Sequence, residues 1–183
     1  MAAPEQVSAN RQFGGWNRRY KHASPTLGCD MHFTVYFPPA AEAPAAKPVP
    51  VLWFLSGLTC TDENFIQKAG GQRAAAARGV ALVAPDTSPR GLGVEGEAEA
   101  WDFGVGAGFY INATADKWKN WRMYDYITKE LPELLAAHFP ALDTANAAIM
   151  GHSMVGGYLC DADKETWKAH DASELMAAYT GPK

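Results

Sequence analysis

Three short apolar runs, Val51-Leu52-Trp53-Phe54-Leu55, Val80-Ala81-Leu82-Val83-Ala84 and Ala147-Ala148-Ile149-Met150, constrain the fold more than any other feature of this sequence. Each has the length of a strand and lacks the apolar–polar alternation of a strand with one wet face, so each predicts a strand covered on both sides. Such strands belong to parallel sheets, whose crossover connections lay helices over the faces. The intervening chain agrees. Asn64 to Ala77 can be helical, and Asn120 to Phe139 places Met123, Tyr126, Ile127, Glu130, Leu131, Leu134 and Leu135 near the 3.6-residue period, with Pro132 as a kink. The expected core is therefore a parallel β-α-β unit extended by a third strand.

Around that core the patterns differ. Gln12 to His22 and Met31 to Phe37 are rich in aromatic and β-branched residues, and His32 to Phe37 alternates at the strand period, which predicts two opening antiparallel strands. Pro38 to Pro50 is mostly Pro and Ala; its prolines exclude a helix and it has little to bury, so a surface loop is expected. Asp86 to Trp118 is glycine-rich and acidic and carries Trp101, Phe103, Phe109 and Tyr110. A loop that long inside a compact domain is usually functional, although its aromatics are better explained by packing than as the wall of a cleft. At 183 residues the whole chain, 1–183, fits a single domain.

Charge narrows the partners. A net charge of −4, with acids and bases interspersed, offers no basic stripe for nucleic acid and favours a small-molecule partner. No stretch approaches the ~18 apolar residues of a membrane span, and the first residues lack the basic and apolar regions of a secretory signal, so a cytoplasmic protein is expected. Cys29, Cys60 and Cys160 are odd in number and lack metal-ligand spacing, which argues for free thiols rather than disulfides or zinc. No metal or cofactor is expected.

The third apolar run leads directly into Gly151-His152-Ser153-Met154-Val155-Gly156. In a nucleophile elbow a serine sits on a sharp strand-to-helix turn, with small neighbours, and projects at the carboxyl end of the sheet. The N–H of Met154 would then help to stabilise an oxyanion, and a second donor should come from the loop Ser56-Gly57-Leu58-Thr59 after an earlier strand. A tight turn with a helix-capping serine would produce the same tripeptide. Val155 also stands where the usual Gly-x-Ser-x-Gly pattern has its last glycine.

Longer segments separate these readings. Phe54-Leu55-Ser56-Gly57-Leu58-Thr59-Cys60-Thr61-Asp62-Glu63-Asn64-Phe65, Ala84-Pro85-Asp86-Thr87-Ser88-Pro89-Arg90-Gly91 and Trp101-Asp102-Phe103-Gly104-Val105-Gly106-Ala107-Gly108-Phe109-Tyr110 resemble the S-formylglutathione hydrolase, or esterase D, family. Arg122-Met123-Tyr124 and Glu130-Leu131-Pro132 belong to the same resemblance, which runs continuously over 12–154. It implies an α/β-hydrolase fold with a mostly parallel sheet flanked by helices. It also implies a cytoplasmic serine thioesterase that converts S-formylglutathione and water to glutathione and formate in formaldehyde detoxification. By the same match Ser153 is the nucleophile, the N–H groups of Leu58 and Met154 form the oxyanion hole, and Cys60 is a thiol beside the active site. No cofactor is implied, and the partners would be a small-molecule thioester and, in a homodimer, a second copy of the chain.

After the nucleophile the resemblance shifts. Gly157-Tyr158-Leu159 and Trp167-Lys168-Ala169-His170-Asp171-Ala172 resemble a stretch several tens of residues further along the family, so 157–183 match a later segment and an internal piece is expected to be missing. An α/β-hydrolase triad runs Ser, Asp or Glu, His in chain order. The sole histidine after Ser153 is His170, in a helix-like segment where a surface or packing role is expected. Asp171 and Glu174 suit a helix cap, and Asp161 and Asp163 suit a solvated loop. His22, His32 and His138 are expected to be structural. The triad acid and base are thus expected to be absent, the fold incomplete after the elbow, and this truncated chain impaired. An inactive shortened form with at most a binding role and a general carboxylesterase are the competing expectations.

Overall fold

A computed structural model describes residues 1–42, 47–151 and 153. Its strands are β1 (Glu5–Gln12), β2 (Gly15–Ser24), β3 (Cys29–Phe37), β4 (Val49–Leu55), β5 (Ala81–Pro85) and β6 (Leu142–Gly151). They form one sheet in the order β1-β2-β3-β5-β4-β6. β4 runs parallel to both β5 and β6, whereas β1, β2 and β3 form an antiparallel meander joined antiparallel to β5. A mixed sheet with helices against it is the architecture expected for an α/β-hydrolase.

The meander has three strands where two were expected. β1 escapes sequence reading because it is almost wholly exposed and its residues, EQVSANRQ, carry no apolar face. It is held as an edge strand by its ladder to β2. The crossover from β4 to β5 is two helices rather than one, α2 (Asp62–Lys68) and α3 (Gln72–Arg78). Gly70, at φ 67°, takes a left-handed conformation between them that a side chain disfavours. A third difference is a single turn, α1 (Pro39–Glu42), in the segment where helix was excluded. Pro39 opens that turn, where a missing N–H costs no helical hydrogen bond, and the turn buries no side chain.

The predicted long helix is present with an altered middle: α4 (Met123–Asp125), a π turn at Tyr126–Glu130, and α5 (Leu131–His138). Pro132 has no N–H to give the Thr128 carbonyl. The ladder adapts by widening, and the Leu131 N–H donates to Tyr126 five residues back. The widened turn faces Tyr126 and Glu130 inward, and both are buried. The Tyr126 hydroxyl and His22 Nε2 share a hydrogen bond of 3.0 Å, while Glu130 Oε2 accepts from the Ser24 hydroxyl at 3.0 Å and the Thr26 N–H at 2.9 Å. His22 is therefore structural, as expected; burial holds its pKa below 6.5 against the raising effect of Glu130.

The main core lies between the sheet and this helix, where Phe33, Val35, Val51, Trp53, Val83, Tyr126, Leu131, Leu134 and Leu135 are buried. The third apolar run is a parallel strand, and with the fold incomplete after the elbow its apolar residues were also expected to lie exposed, as were those of the first run, where Val51 and Trp53 are instead buried. β6 is an edge of the sheet among the described residues, and although Leu142 at its start is buried, Ile149 and Met150 are 62% and 47% exposed. The long loop does pack its aromatics: Trp121 is fully buried and makes edge contact with Trp118, which makes edge contact with Phe103. Trp101, 70% exposed, is the exception.

Candidate active site

The three parallel strands, β5, β4 and β6, end on the same side, and the candidate residues lie on the segments that leave them. β4 and β6 are in register, with Leu55 opposite Gly151. The loop 56–61 begins immediately after Leu55, and Ser153 stands two residues beyond Gly151, so parallel pairing brings Ser153 and the Leu58 segment to adjacent strand ends. Gly151 fits this spot because a Cβ there would lie 2.6 Å from the Leu55 carbonyl oxygen. Ser153 is exposed, and its φ is 59°, in the left-handed region that a non-glycine residue rarely occupies. Backbone strain of that kind is characteristic of a sharp strand-to-helix nucleophile turn.

The Leu58 segment is fixed from both flanks. The Tyr110 hydroxyl donates to the Ser56 carbonyl at 2.7 Å, and the Thr59 N–H donates to the Gly106 carbonyl at 2.9 Å. The Cys60 carbonyl accepts from the Thr87 hydroxyl at 2.5 Å and from Arg90 Nη2 at 3.0 Å. Beyond Cys60, the Thr61 hydroxyl accepts the Glu63 N–H and the Thr61 N–H donates to Asn64, capping α2. Thr59 itself has a left-handed φ of 65°. Amid these bonds the Leu58 N–H meets no acceptor among the described residues.

The bracing segments are themselves tied to the sheet and to each other. Arg90 forms a fork on Asp86, with Nε to Oδ2 and Nη2 to Oδ1 both at 2.9 Å, and the Asp86 N–H donates to the His32 carbonyl on β3. The Gly106 N–H donates to the Ser88 hydroxyl at 2.7 Å and the Gly108 N–H to the Thr87 carbonyl at 3.0 Å. A Cβ on Gly108 would sit 2.4 Å from that carbonyl oxygen, so glycine is needed for the two loops to touch. Phe109 and Tyr110 both adopt left-handed φ, near 50° and 53°. Burial raises the pKa of the Tyr110 phenol, which keeps it protonated as a donor.

Of the predicted site residues, Ser153 and Leu58 are brought to neighbouring strand ends, while Met154, His152, Val155 and 157–183, with His170, Asp171, Glu174, Asp161, Asp163 and Cys160, lie outside the described residues. Cys60 is half-buried beside Leu58, and Cys29 and Cys60 are free thiols. His32 and His138 are half-buried, and His138 Nε2 lies 3.2 Å from the Met1 carbonyl. Among the described residues no group of three His, Cys, Asp or Glu could hold a metal. A polar cleft of 280 Å³ between the meander and α2 and an apolar groove of 310 Å³ beside α3 both exclude Ser153 and Leu58. Sequence reasoning did not single out Thr87, Arg90 or Tyr110 as loop braces. They stand inside the quoted segments, but nothing in their spacing says that they reach the Cys60 and Ser56 carbonyls.

Comparison with known proteins agrees with this architecture. Residues 24–160 match a family model described as "Putative esterase". The chain is 62% identical over 164 residues to an S-formylglutathione hydrolase of Arabidopsis thaliana, covering 87% of this chain and 57% of the relative. It is 44% identical over 217 residues to an S-formylglutathione hydrolase of Mus musculus, covering 98% of this chain and 75% of the relative. A solved S-formylglutathione hydrolase structure from Agrobacterium tumefaciens superposes with a TM-score of 0.85 at 34% identity, over 98% of this chain and 76% of that one. The chain thus spans little more than half the length of the plant relative.

Proposed function

Because the chain belongs to the S-formylglutathione hydrolase family of α/β-hydrolase esterases, we propose that it is a serine thioesterase whose substrate is S-formylglutathione. The observation that carries this reading is the strained, exposed Ser153 at the end of β6 beside a Leu58 segment whose N–H has no acceptor among the described residues. In this reading the Ser153 hydroxyl attacks the thioester carbonyl carbon, its proton passes to a base, and the carbonyl π electrons move to oxygen. The resulting oxyanion accepts hydrogen bonds from the N–H groups of Leu58 and Met154. Collapse re-forms C=O and breaks the C–S bond as the base returns its proton to the departing sulfur, releasing glutathione; water, giving a proton to the base, then attacks formyl-Ser153, and collapse breaks the C–Oγ bond, returns that proton to Ser153 and releases formate. Neither step consumes a redox equivalent. Disposal of formaldehyde-derived thioester in the cytoplasm is the corresponding cellular role.

The base is the open part of the mechanism. His170 is the one histidine that follows Ser153 in these residues, and it stands in a segment suited to a surface helix. Ser153→Ala supplies the test. Incubation with S-formylglutathione should release formate faster from the unmodified chain than from Ser153→Ala; equal rates would exclude Ser153 as nucleophile. A parallel assay with simple acyl esters separates a thioesterase from a general carboxylesterase.

A further inference from the structure

We propose that Arg90 is a positioning residue for acyl transfer: it holds the Cys60 carbonyl and thereby fixes the Leu58 N–H against Ser153. The inference rests on the thioesterase reading for its catalytic consequence, but not for its structural one. Arg90 Nη2 is shared between Asp86 Oδ1 at 2.9 Å and the Cys60 carbonyl at 3.0 Å, while Nε completes the fork on Asp86. Asp86 is 3% exposed and anchored through its N–H to the His32 carbonyl on β3. A continuous path of hydrogen bonds therefore runs from the sheet through Asp86 and Arg90 to a carbonyl two residues from Leu58. The Thr87 hydroxyl is the second donor on that carbonyl.

The path matters because of what the loop lacks. Residues 56–61 form no regular structure, and Thr59 holds a left-handed φ of 65° in their middle. A free loop would relax that conformation. The donor of an oxyanion hole is useful only when its place is set before the charge develops, since reorganisation at the moment of reaction forfeits the stabilisation. Arg90 suits the task better than Lys would, because a planar fork can satisfy both Asp86 oxygens and still present an N–H to Cys60. An ammonium can hold the carboxylate but not this geometry.

Hydrogen–deuterium exchange of the peptide spanning 56–61 tests the structural half, and mass-spectrometric acetylation of Ser153 by p-nitrophenyl acetate tests the catalytic half. In Arg90→Gln the peptide should exchange at least ~10-fold faster while β2 and β3 peptides stay unchanged, and the limiting acetylation rate should fall ~10-fold without a change in apparent KM, because misplacement by a fraction of an ångström costs rate rather than binding. Arg90→Lys should recover part of both losses. Thr87→Val, which removes the other donor while leaving the Asp86–Arg90 pair, should give the same signature more weakly, and it carries the test if Arg90→Gln fails to fold. Unchanged exchange at 56–61, or equal acceleration in β2 and β3, would overturn the proposal, as would a loss expressed in KM alone. If the unmodified chain acetylates no faster than Ser153→Ala, the thioesterase reading fails, and the exchange comparison alone decides whether Arg90 holds the loop.

Discussion

Replacing Gly151 by Ala tests how closely the two strand ends must fit. Gly151 pairs with Leu55 in the parallel ladder of β6 and β4, and an added Cβ would lie 2.6 Å from the Leu55 carbonyl oxygen and 3.1 Å from its Cβ. Ordinary contact begins at 3.4 Å, so the strands would have to part by about 0.8 Å. The obstructing atom is backbone in the adjacent strand and cannot rotate away. Since Ser153 and Leu58 leave from this register pair, the gap is transmitted to both, and a misplacement near 1 Å costs on the order of 10²-fold in rate. Overpacking of this size also costs about 1–3 kcal/mol of stability. The assay is the acetylation rate of Ser153 by p-nitrophenyl acetate, beside a urea unfolding curve for each protein. Acetylation within twofold of the unmodified chain, with an unchanged urea midpoint, would refute the argument that the β4–β6 register sets the site.

Asp62→Ala should destabilise the chain by about 3 kcal/mol in urea unfolding, the low end of the range for a broken buried pair because Arg19 is partly exposed. The fully buried Asp62 carboxylate accepts from Arg19 Nε at 2.8 Å, Arg19 Nη2 at 3.0 Å and the Thr34 hydroxyl at 2.7 Å, so all three donors lose their partner. For His22, the folded pKa lies below 6.5, so between the two values the unfolded chain binds the extra proton. Its contribution to stability is complete above pH ~6.5 and declines as the pH falls through the window beneath it. Urea midpoints at pH 7.5 and 5.5 should show that decline and His22→Phe should lessen it; an equal slope in the variant would contradict the assignment. Trp121→Phe should release the long loop, because the indole N–H donates to the Gly104 carbonyl at 3.0 Å from a fully buried position. Faster exchange across 104–110 is the expected result.

The sequence by itself determined the fold class and the place of Ser153 just past a strand end. Strand-length apolar runs separated by helical periodicity imply a parallel core, and a Gly-His-Ser turn directly after the third run puts the serine at a carboxyl strand end, since both signals are local in the chain. What the local pattern lacked was partners. β1 has no apolar face and exists as a strand through its ladder to β2, and β6 is apolar yet exposed at Ile149 and Met150 because burial depends on what lies across the sheet. The one predicted helix between β4 and β5 breaks at a glycine pair because helix periodicity does not record where the chain must turn back. The same reason governs the site. Ser153 and Leu58 could be named from their own segments, but their adjacency depends on β4 pairing with β6, and the bracing of Leu58 depends on Thr87, Arg90 and Tyr110 reaching across two loops. Contacts between residues 30 and 54 positions apart leave no trace in spacing, so only the tertiary structure could decide them.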